Sequence, residues 1–405
     1  MSVKIVTFGC RLNTYESAAM REFSKLSDDF IIVNTCAVTS EAERQCRQEI
    51  RRLKRENPDA FIIATGCAAQ LFPEKFAAME EVDKVLGNKE KLNPDLFVKS
   101  AQKVVVSPVS RADPDIPLPD LFEGRNRAFM QIQQGCDHAC TFCIVPHARG
   151  KSVVLPKDEV LKRAQKLTDA GYAEICLTGV DISSYPDFAG LLRQILDNTR
   201  GLKRLRLGSV DPALVNDDFI SLFGQSDILM PHLHLSVQAG GDMILRRMAR
   251  RHLRGDVIKL CEKLRAVRPD IVFGADFITG FPTETQAQFN DTLDLVEQCG
   301  MTHLHVFPYS ERSGTPAAKM PQIPVPVRKE RAKILREKGD EMMLAYMKSR
   351  LGSTAVVLCE TDEKGLCEQY INVKIAKKCH TGDFVKVRLT GIAKPALFEG
   401  SVCES

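Results

Sequence analysis

Between about residues 122 and 335 a short apolar run is followed, six times over, by a stretch of helical length and spacing, and this alternation limits the possible folds most severely. The runs are AFMQIQQ, EICLTGV, RLRLGSV, HLHLSVQ, IVFGADFITG and HLHVFPYS, with Lys157 to Ala170, Phe188 to Asn198 and Thr285 to Cys299 among the helical pieces. A strand that returns parallel to its predecessor needs a long crossover, which a helix supplies. Six consecutive units predict an incomplete (β/α)6 barrel of parallel strands, an α/β fold whose sites form at the carboxyl ends of the strands. A long charged helix is predicted from Arg328 to Arg350.

The flanking segments differ in character. In residues 1–118, KIVTFGC, FIIVNTC and FIIATGC read as buried parallel strands, separated by helical stretches at Tyr15 to Leu26 and Glu41 to Glu56. They predict an amino-terminal open α/β domain. The stretch VSRADPDIPLPD holds neither helix nor central strand and reads as a linker. From residue 353 onward the pattern becomes short alternating strands, TAVVLCE, YINVKIA and DFVKVRL, which predict a small carboxyl-terminal antiparallel β-barrel. The expected domains are 1–118, 122–335 and 344–405. No run of eighteen apolar residues and no charged leader into an apolar stretch is present, so no membrane association and a cytoplasmic location are expected.

Fourteen cysteines in such a chain point to metal or redox chemistry, because the cytosol keeps thiols reduced. Cys136, Cys140 and Cys143 lie in QGCDHACTFCIVPHARG directly after the first barrel strand. Three thiolates on one tight loop can hold three irons of a cubane cluster and leave the fourth iron open. Zinc completed by His138 or His147, or inert burial, are the competing readings. Cys10, Cys36 and Cys67 are distant in sequence, yet each ends one of the three amino-terminal strands, and the carboxyl ends of a parallel sheet share one edge. The plainer reading is three small buried hydrophobes. Cys46 reads as helix surface or core, without a metal. Cys176, Cys261, Cys299, Cys359, Cys367, Cys379 and Cys403 show no metal-like clustering and are expected to be packing residues.

Alternation in PHLHLSVQ puts His232, His234, Ser236 and Gln238 on one face, which reads as either a lined cavity or satisfied core histidines. Gly179 and Asp181 follow the second barrel strand, where the glycine serves a turn or a close approach. Ser209 and Asp211 follow the third, placed for a ribose or for a helix cap. RRMARRHLR, residues 246–254, would be a solvated helix face in isolation. Lys374, Lys377, Lys378, His380, Lys386 and Arg388 in the terminal segment, with Arg44, Arg47, Arg51 and Arg52, can grip phosphate or simply face solvent.

These motifs together resemble the radical S-adenosylmethionine methylthiotransferases. The resemblance rests on GCRLNTYES (9–17), NTCAVT (34–39), GCAAQ (66–70) and GCDHACTFCIVPHARGKS (135–152), then LTGVDISSY, LHLSVQAGGDMILRRMARRH, DFITGFPTET and FPYSERSGTPAAKM. It covers essentially the whole chain and implies an RNA-binding TRAM barrel at the carboxyl end. It also implies two [4Fe–4S] clusters, one on Cys136, Cys140 and Cys143 and an auxiliary one on Cys10, Cys36 and Cys67. S-adenosylmethionine on the open iron would be cleaved to a 5′-deoxyadenosyl radical, and a second molecule would methylate sulfur held at the auxiliary cluster. Gly179, Asp181, Ser209, Asp211, His234, Ser236, Gln238 and Arg250 are the implied cofactor contacts. Thr283 departs from the family's usual GFPGET. The implied partners are tRNA, with a base splayed out to reach a buried radical, and an electron donor such as flavodoxin or ferredoxin. GCRLN resembles the enzymes acting on N6-threonylcarbamoyladenosine, whereas isopentenyladenosine enzymes usually read GCQMN and those acting on a ribosomal protein GCPKN. A non-catalytic iron–sulfur RNA-binding or iron-sensing protein is the alternative of another class.

Overall fold

A computed structural model describes residues 3–23, 29–110, 118–119, 122, 126–377 and 379–403. Most of the predicted linker, and Lys378, lie outside the described residues. The amino-terminal sheet is parallel throughout and runs in chain order, β1 (Lys4–Thr7), β2 (Phe30–Thr35), β3 (Phe61–Gly66), β4 (Lys84–Leu86) and β5 (Val104–Val105). Its helices are α1 (Arg11–Arg21), α2 (Ser40–Glu56), α3 (Cys67–Leu71) and α4 (Pro73–Ala77). Ile31, Val33, Ile62 and Ala64 pack with Ile50 and Leu53 of α2 on one face; Ile5, Ile32, Ile63 and Leu86 pack with Met20 of α1 on the other. Strands buried on both faces read as continuous apolar runs, which is why β2 and β3 are plain in the sequence, whereas β1, at the sheet edge, is only partly buried. β4 and β5 are too short to leave that signal.

Six parallel strands form the central unit. β6 (Ala128–Gln131) is followed by a small antiparallel pair, β7 (Gln133–Gln134) with β8 (Val153–Val154), which encloses α5 (Val145–Arg149). Then come α6 (Lys157–Asp169), β9 (Glu174–Thr178), α7 (Phe188–Asn198), β10 (Arg204–Leu207), α8 (Asp217–Gln225) and β11 (His232–Gln238). α9 (Asp242–Arg247), α10 (Arg254–Val267), β12 (Val272–Thr279), α11 (Gln286–Gln298) and β13 (Met301–Pro308) complete it, before the long helix α12 (Val325–Arg350). The strands order as β6, β9, β10 and then β11, β12, β13, the two halves meeting only through the parallel bridges Leu205–Leu229 and Val210–Leu235. This is the expected partial barrel. Its open side is covered by the amino-terminal domain: Tyr15, Ala18 and Ala19 of α1 join the barrel core beside Phe122, Ala128 and Phe129. α1 is therefore buried on two sides, against the sheet and against the barrel.

The carboxyl-terminal unit is a closed barrel of β14 (Thr354–Thr361), β15 (Lys364–Leu366), β16 (Asn372–Ile375), β18 (Leu397–Val402) and β17 (Phe384–Lys394). Closure departs from the antiparallel expectation, since β16 and β18 pair parallel. Met343 and Met347 of α12 enter its core, so the long helix links the two barrels by shared packing.

That barrel docks at the end of the central unit where its strands begin. Tyr370 stacks on His232 at 4.9 Å, and Arg11, Arg127 and Arg206 each lie over its ring. Arg204 donates to the carbonyls of Leu366 and Val356 and Arg206 to those of Glu368 and Cys367, at 2.6–3.1 Å. Glu174, fully buried, accepts from Arg206 at 2.9 Å and lies 3.5 Å from Arg204.

Thr283 adopts φ +71°, a left-handed conformation that favours glycine, and Arg247 donates to its hydroxyl at 2.6 Å. The unusual threonine thus keeps a strained turn and gains a side-chain partner. Thr283→Ala removes that partner but not the strain, whereas Thr283→Gly relieves the strain by roughly 1 kcal/mol. Urea denaturation is expected to rank the glycine variant above the alanine variant by about that amount.

Candidate functional site

Cys10 caps α1, Cys36 follows β2 and Cys67 begins α3 directly after β3, so the three sit on the carboxyl edge of the sheet as the strand ends predict. Gly66 precedes Cys67 at φ +92°, and a Cβ there would meet the Asn34 Oδ1 at 2.4 Å. Only glycine lets the backbone turn there without displacing β2. Burial pushes the Cys36 thiol up to about 12, and Cys67 and Cys10 add to it as neighbouring negative groups. The Val38 amide lies 3.5 Å from the Cys36 Sγ and Asn88 Nδ2 lies 3.8 Å from that of Cys67.

The second set occupies the loop between β7 and α5. Gly135, at φ +72°, passes so close to Lys151 that a Cβ would lie 2.1 Å from its carbonyl oxygen. Burial, with Cys140 and Cys136 as neighbours, pushes Cys143 up to about 12. The His138 amide points at the Cys136 Sγ at 3.4 Å and Arg250 Nη1 at that of Cys140 at 3.5 Å. α5, which ends this loop, packs on α3, and Ile144 shares a core with Ala68 and Ala69. The two cysteine sets therefore share one domain interface, which no spacing in the sequence could indicate.

A zinc ion with sulfur at about 2.3 Å holds its ligands within roughly 4 Å of each other. Among the described residues, the groups whose ligand atoms all lie within 4.8 Å of one another are His234 with Asp276 and His305, and His138 with Asp181 and Asp211; no cysteine belongs to either. Among the described residues neither cysteine set closes to single-ion spacing, and three thiols per set are the donors that a polynuclear iron–sulfur cluster with one open iron takes. His138 is taken by Asp181 at 2.6 Å, and His147 is exposed.

Of the predicted contact residues, Asp181, Asp211, Arg250 and Ser236 are linked to the loop of the second set through His138 and Cys140. Gly179 lets Gln133 approach, its Oε1 accepting the amides of Val180 and Asp181 at 2.9 and 2.8 Å. Asp181 also accepts from Ser183 at 2.5 Å. Ser209 is half-buried beyond the carboxyl end of β10. Asp211 caps the following turn through the Ala213 amide and lies 3.2 and 3.0 Å from Arg250 and Arg251. Although burial opposes its charge, His252, Arg250 and Arg251 hold its carboxyl far below the usual range. Arg250 also donates to the Ser236 carbonyl at 2.6 Å, while its Nε is buried without a hydrogen-bond partner. Gln238 ends β11 at φ +77°.

On the inner face of the barrel, His234 lies 3.1 Å from Asp276, which accepts from His305 at the same distance. Arg11, immediately after Cys10, reaches into this lumen and donates to the Cys176 Sγ at 3.4 Å and to the Tyr370 hydroxyl at 3.0 Å. Asp276, His303 and His305 escaped the sequence reading, although ADFIT and THLHVF carry the same alternation that exposed His232 and His234. Cys46 is buried in the core, Cys261 is hydrogen-bonded to Cys299 and Cys359 to Cys379, Cys367 is buried, Cys176 accepts from Arg11 in the lumen, and Cys403 is half-buried.

Residues 130–296 match the Radical SAM superfamily, and residues 2–87 match the family described as Uncharacterized protein family UPF0004. The chain is 47% identical over 399 residues to the threonylcarbamoyladenosine tRNA methylthiotransferase MtaB of Rickettsia prowazekii (strain Madrid E), covering 96% of this chain and 95% of that one. It is 39% identical to the tRNA-2-methylthio-N(6)-dimethylallyladenosine synthase of Ruegeria pomeroyi, covering 79% of each. Among solved structures, the radical S-adenosylmethionine methyltransferase TsrM of Kitasatospora setae matches with a TM-score of 0.54 at 18% identity, over 76% of this chain and 69% of that one, a likeness of fold alone.

Proposed function

The chain belongs to the radical S-adenosylmethionine methylthiotransferases, and we propose that it adds a 2-methylthio group to N6-threonylcarbamoyladenosine beside the anticodon of tRNA. The observation that carries this reading is the pair of three-cysteine sets brought to one interface at the carboxyl ends of their strands. Cys136, Cys140 and Cys143 would hold one [4Fe–4S] cluster and Cys10, Cys36 and Cys67 the other. When bound, these clusters and S-adenosylmethionine supply a radical that removes hydrogen from an unactivated carbon, together with the sulfur and methyl group that replace it.

The chain's own residues position and isolate that chemistry. Arg250 crosses from Cys140 to the Ser236 carbonyl and is fixed by Asp211, so the cofactor's wall and the cysteine loop move as one body. Asp181 restrains His138 within the loop. Tyr370 and the arginines around it close the far end of the barrel, leaving entry from the cluster side. The polar lumen, with His234, Asp276 and His305, offers the hydroxyl and amide groups of a threonylcarbamoyl group hydrogen-bond partners that an apolar dimethylallyl chain would leave unpaired. Flavodoxin or ferredoxin would supply electrons, in the cytoplasm; no helix among the described residues is long and apolar enough to cross a membrane.

The decisive experiment is mass analysis of tRNA nucleosides from cells lacking this protein. Loss of 2-methylthio-N6-threonylcarbamoyladenosine, restored by the wild-type chain, is the expected result; an unchanged profile excludes this substrate.

Lys374, Lys377, Lys386 and Arg388 are exposed on the terminal barrel. In contrast, Arg44, Arg47, Arg51 and Arg52 of α2 are each paired with glutamates. Neutralising Lys386 or Arg388 is expected to lower the salt dependence of tRNA affinity by about one phosphate each. The same change at Arg44 or Arg52 is expected to leave that slope nearly unaltered in a binding titration.

A further inference from the structure

The auxiliary cysteines stand over a buried ion network. Lys91 and Glu16 are fully buried and Arg149 is 2% exposed. Arg149 donates to both Glu16 carboxylate oxygens at 2.8 and 3.0 Å, and Lys91 donates to Glu16 at 2.6 Å and to Asn88 Oδ1 at 2.7 Å. Each cysteine loop is tied to this network. Asn13, which accepts from Arg149 at 2.6 Å, donates to the carbonyls of Phe8 and Thr35, just before Cys10 and Cys36. Asn88 points its amide at the Cys67 sulfur and donates to the Ala148 carbonyl at 2.8 Å.

Two cations against one carboxylate leave a positive charge in a buried site, where an unbalanced charge is costly. Three thiolates outweigh the charge of a cubane core, and a sulfide or methanethiolate on the open iron adds more negative charge. The network is thus complementary to a loaded cluster. We propose that Lys91 and Arg149, held by Glu16, form a cationic floor that raises the reduction potential of the auxiliary cluster and retains the anionic sulfur awaiting transfer. This rests on Cys10, Cys36 and Cys67 being cluster ligands. It makes Lys91, Arg149 and Glu16 positioning residues with an electrostatic role.

The test is an EPR-monitored redox titration of anaerobically reconstituted full-length protein in which Cys136, Cys140 and Cys143 are replaced by alanine, so that the auxiliary cluster reports alone. Glu16→Gln raises the net positive charge and is expected to shift the midpoint upward; Lys91→Met is expected to shift it downward and to lose added sulfide on gel filtration. Arg149→Lys is expected to stay near the parent. Loosened packing would move both substitutions the same way. Glu16→Gln with full iron content and an unchanged or lowered midpoint overturns the proposal, even if Lys91→Met fails to assemble. Absence of iron from Cys10, Cys36 and Cys67 in the parent would instead refute their assignment as ligands.

Discussion

Cys136→Ala is expected to abolish both reductive cleavage of S-adenosylmethionine and methylthiolation, while Cys10→Ala abolishes methylthiolation and leaves cleavage measurable. The difference follows from placement. Cys136 belongs to the loop that Arg250, Asp181 and Ser236 surround, the residues that would hold S-adenosylmethionine beside its cluster. Cys10 stands on the other domain, beyond the α3–α5 contact. Methylthiolation should fall at least a thousandfold in both variants, equivalent to roughly 4 kcal/mol in barrier. Iron content should fall by about half in each, since each set would hold one of two clusters. Product analysis for 5′-deoxyadenosine, beside nucleoside mass analysis, separates the outcomes; loss of cleavage in Cys10→Ala would show that the two sets do not act separately.

Glu174→Gln is expected to be the most damaging conservative change away from the clusters. The carboxylate is the buried counter-charge to Arg206 and Arg204, with Arg127 at 3.9 Å, and those arginines hold the terminal barrel by its carbonyls. An amide keeps the shape but leaves buried cations uncompensated, at a cost of about 3–5 kcal/mol. Thermal unfolding should shift down by several degrees, and trypsin should cut after Arg350, between α12 and the terminal barrel, faster than in the parent. Replacing exposed Lys386 with glutamine should do neither, since the site faces water.

Local and periodic features were legible in the sequence because they are written in neighbouring residues. Continuous apolar runs marked strands buried on both faces, and period-two alternation marked the lined wall of β11. The short loop holding Cys136, Cys140 and Cys143 marked one candidate ligand set by its spacing, and matching strand ends located Cys10, Cys36 and Cys67 on one edge. Motif resemblance supplied the chemistry. Elements of two or three residues such as β4, β5 and β15 carried too little pattern, and the parallel closure of β16 on β18 depends on a pairing no local propensity encodes.

Only the tertiary structure placed one cysteine set against the other, turned Asp211 toward Arg250 and Arg251, and seated Tyr370 over His232. It also gathered Glu16, Lys91 and Arg149, 75 and 133 residues apart from the first, beneath the auxiliary cysteines. Charged residues read singly look like solvated surface, because nothing in a charge's neighbours along the chain says whether a partner will meet it after burial. The sequence determined which strands carry the candidate ligands; packing across domains decided which charges surround them, since burial and pairing are settled together only when distant segments meet.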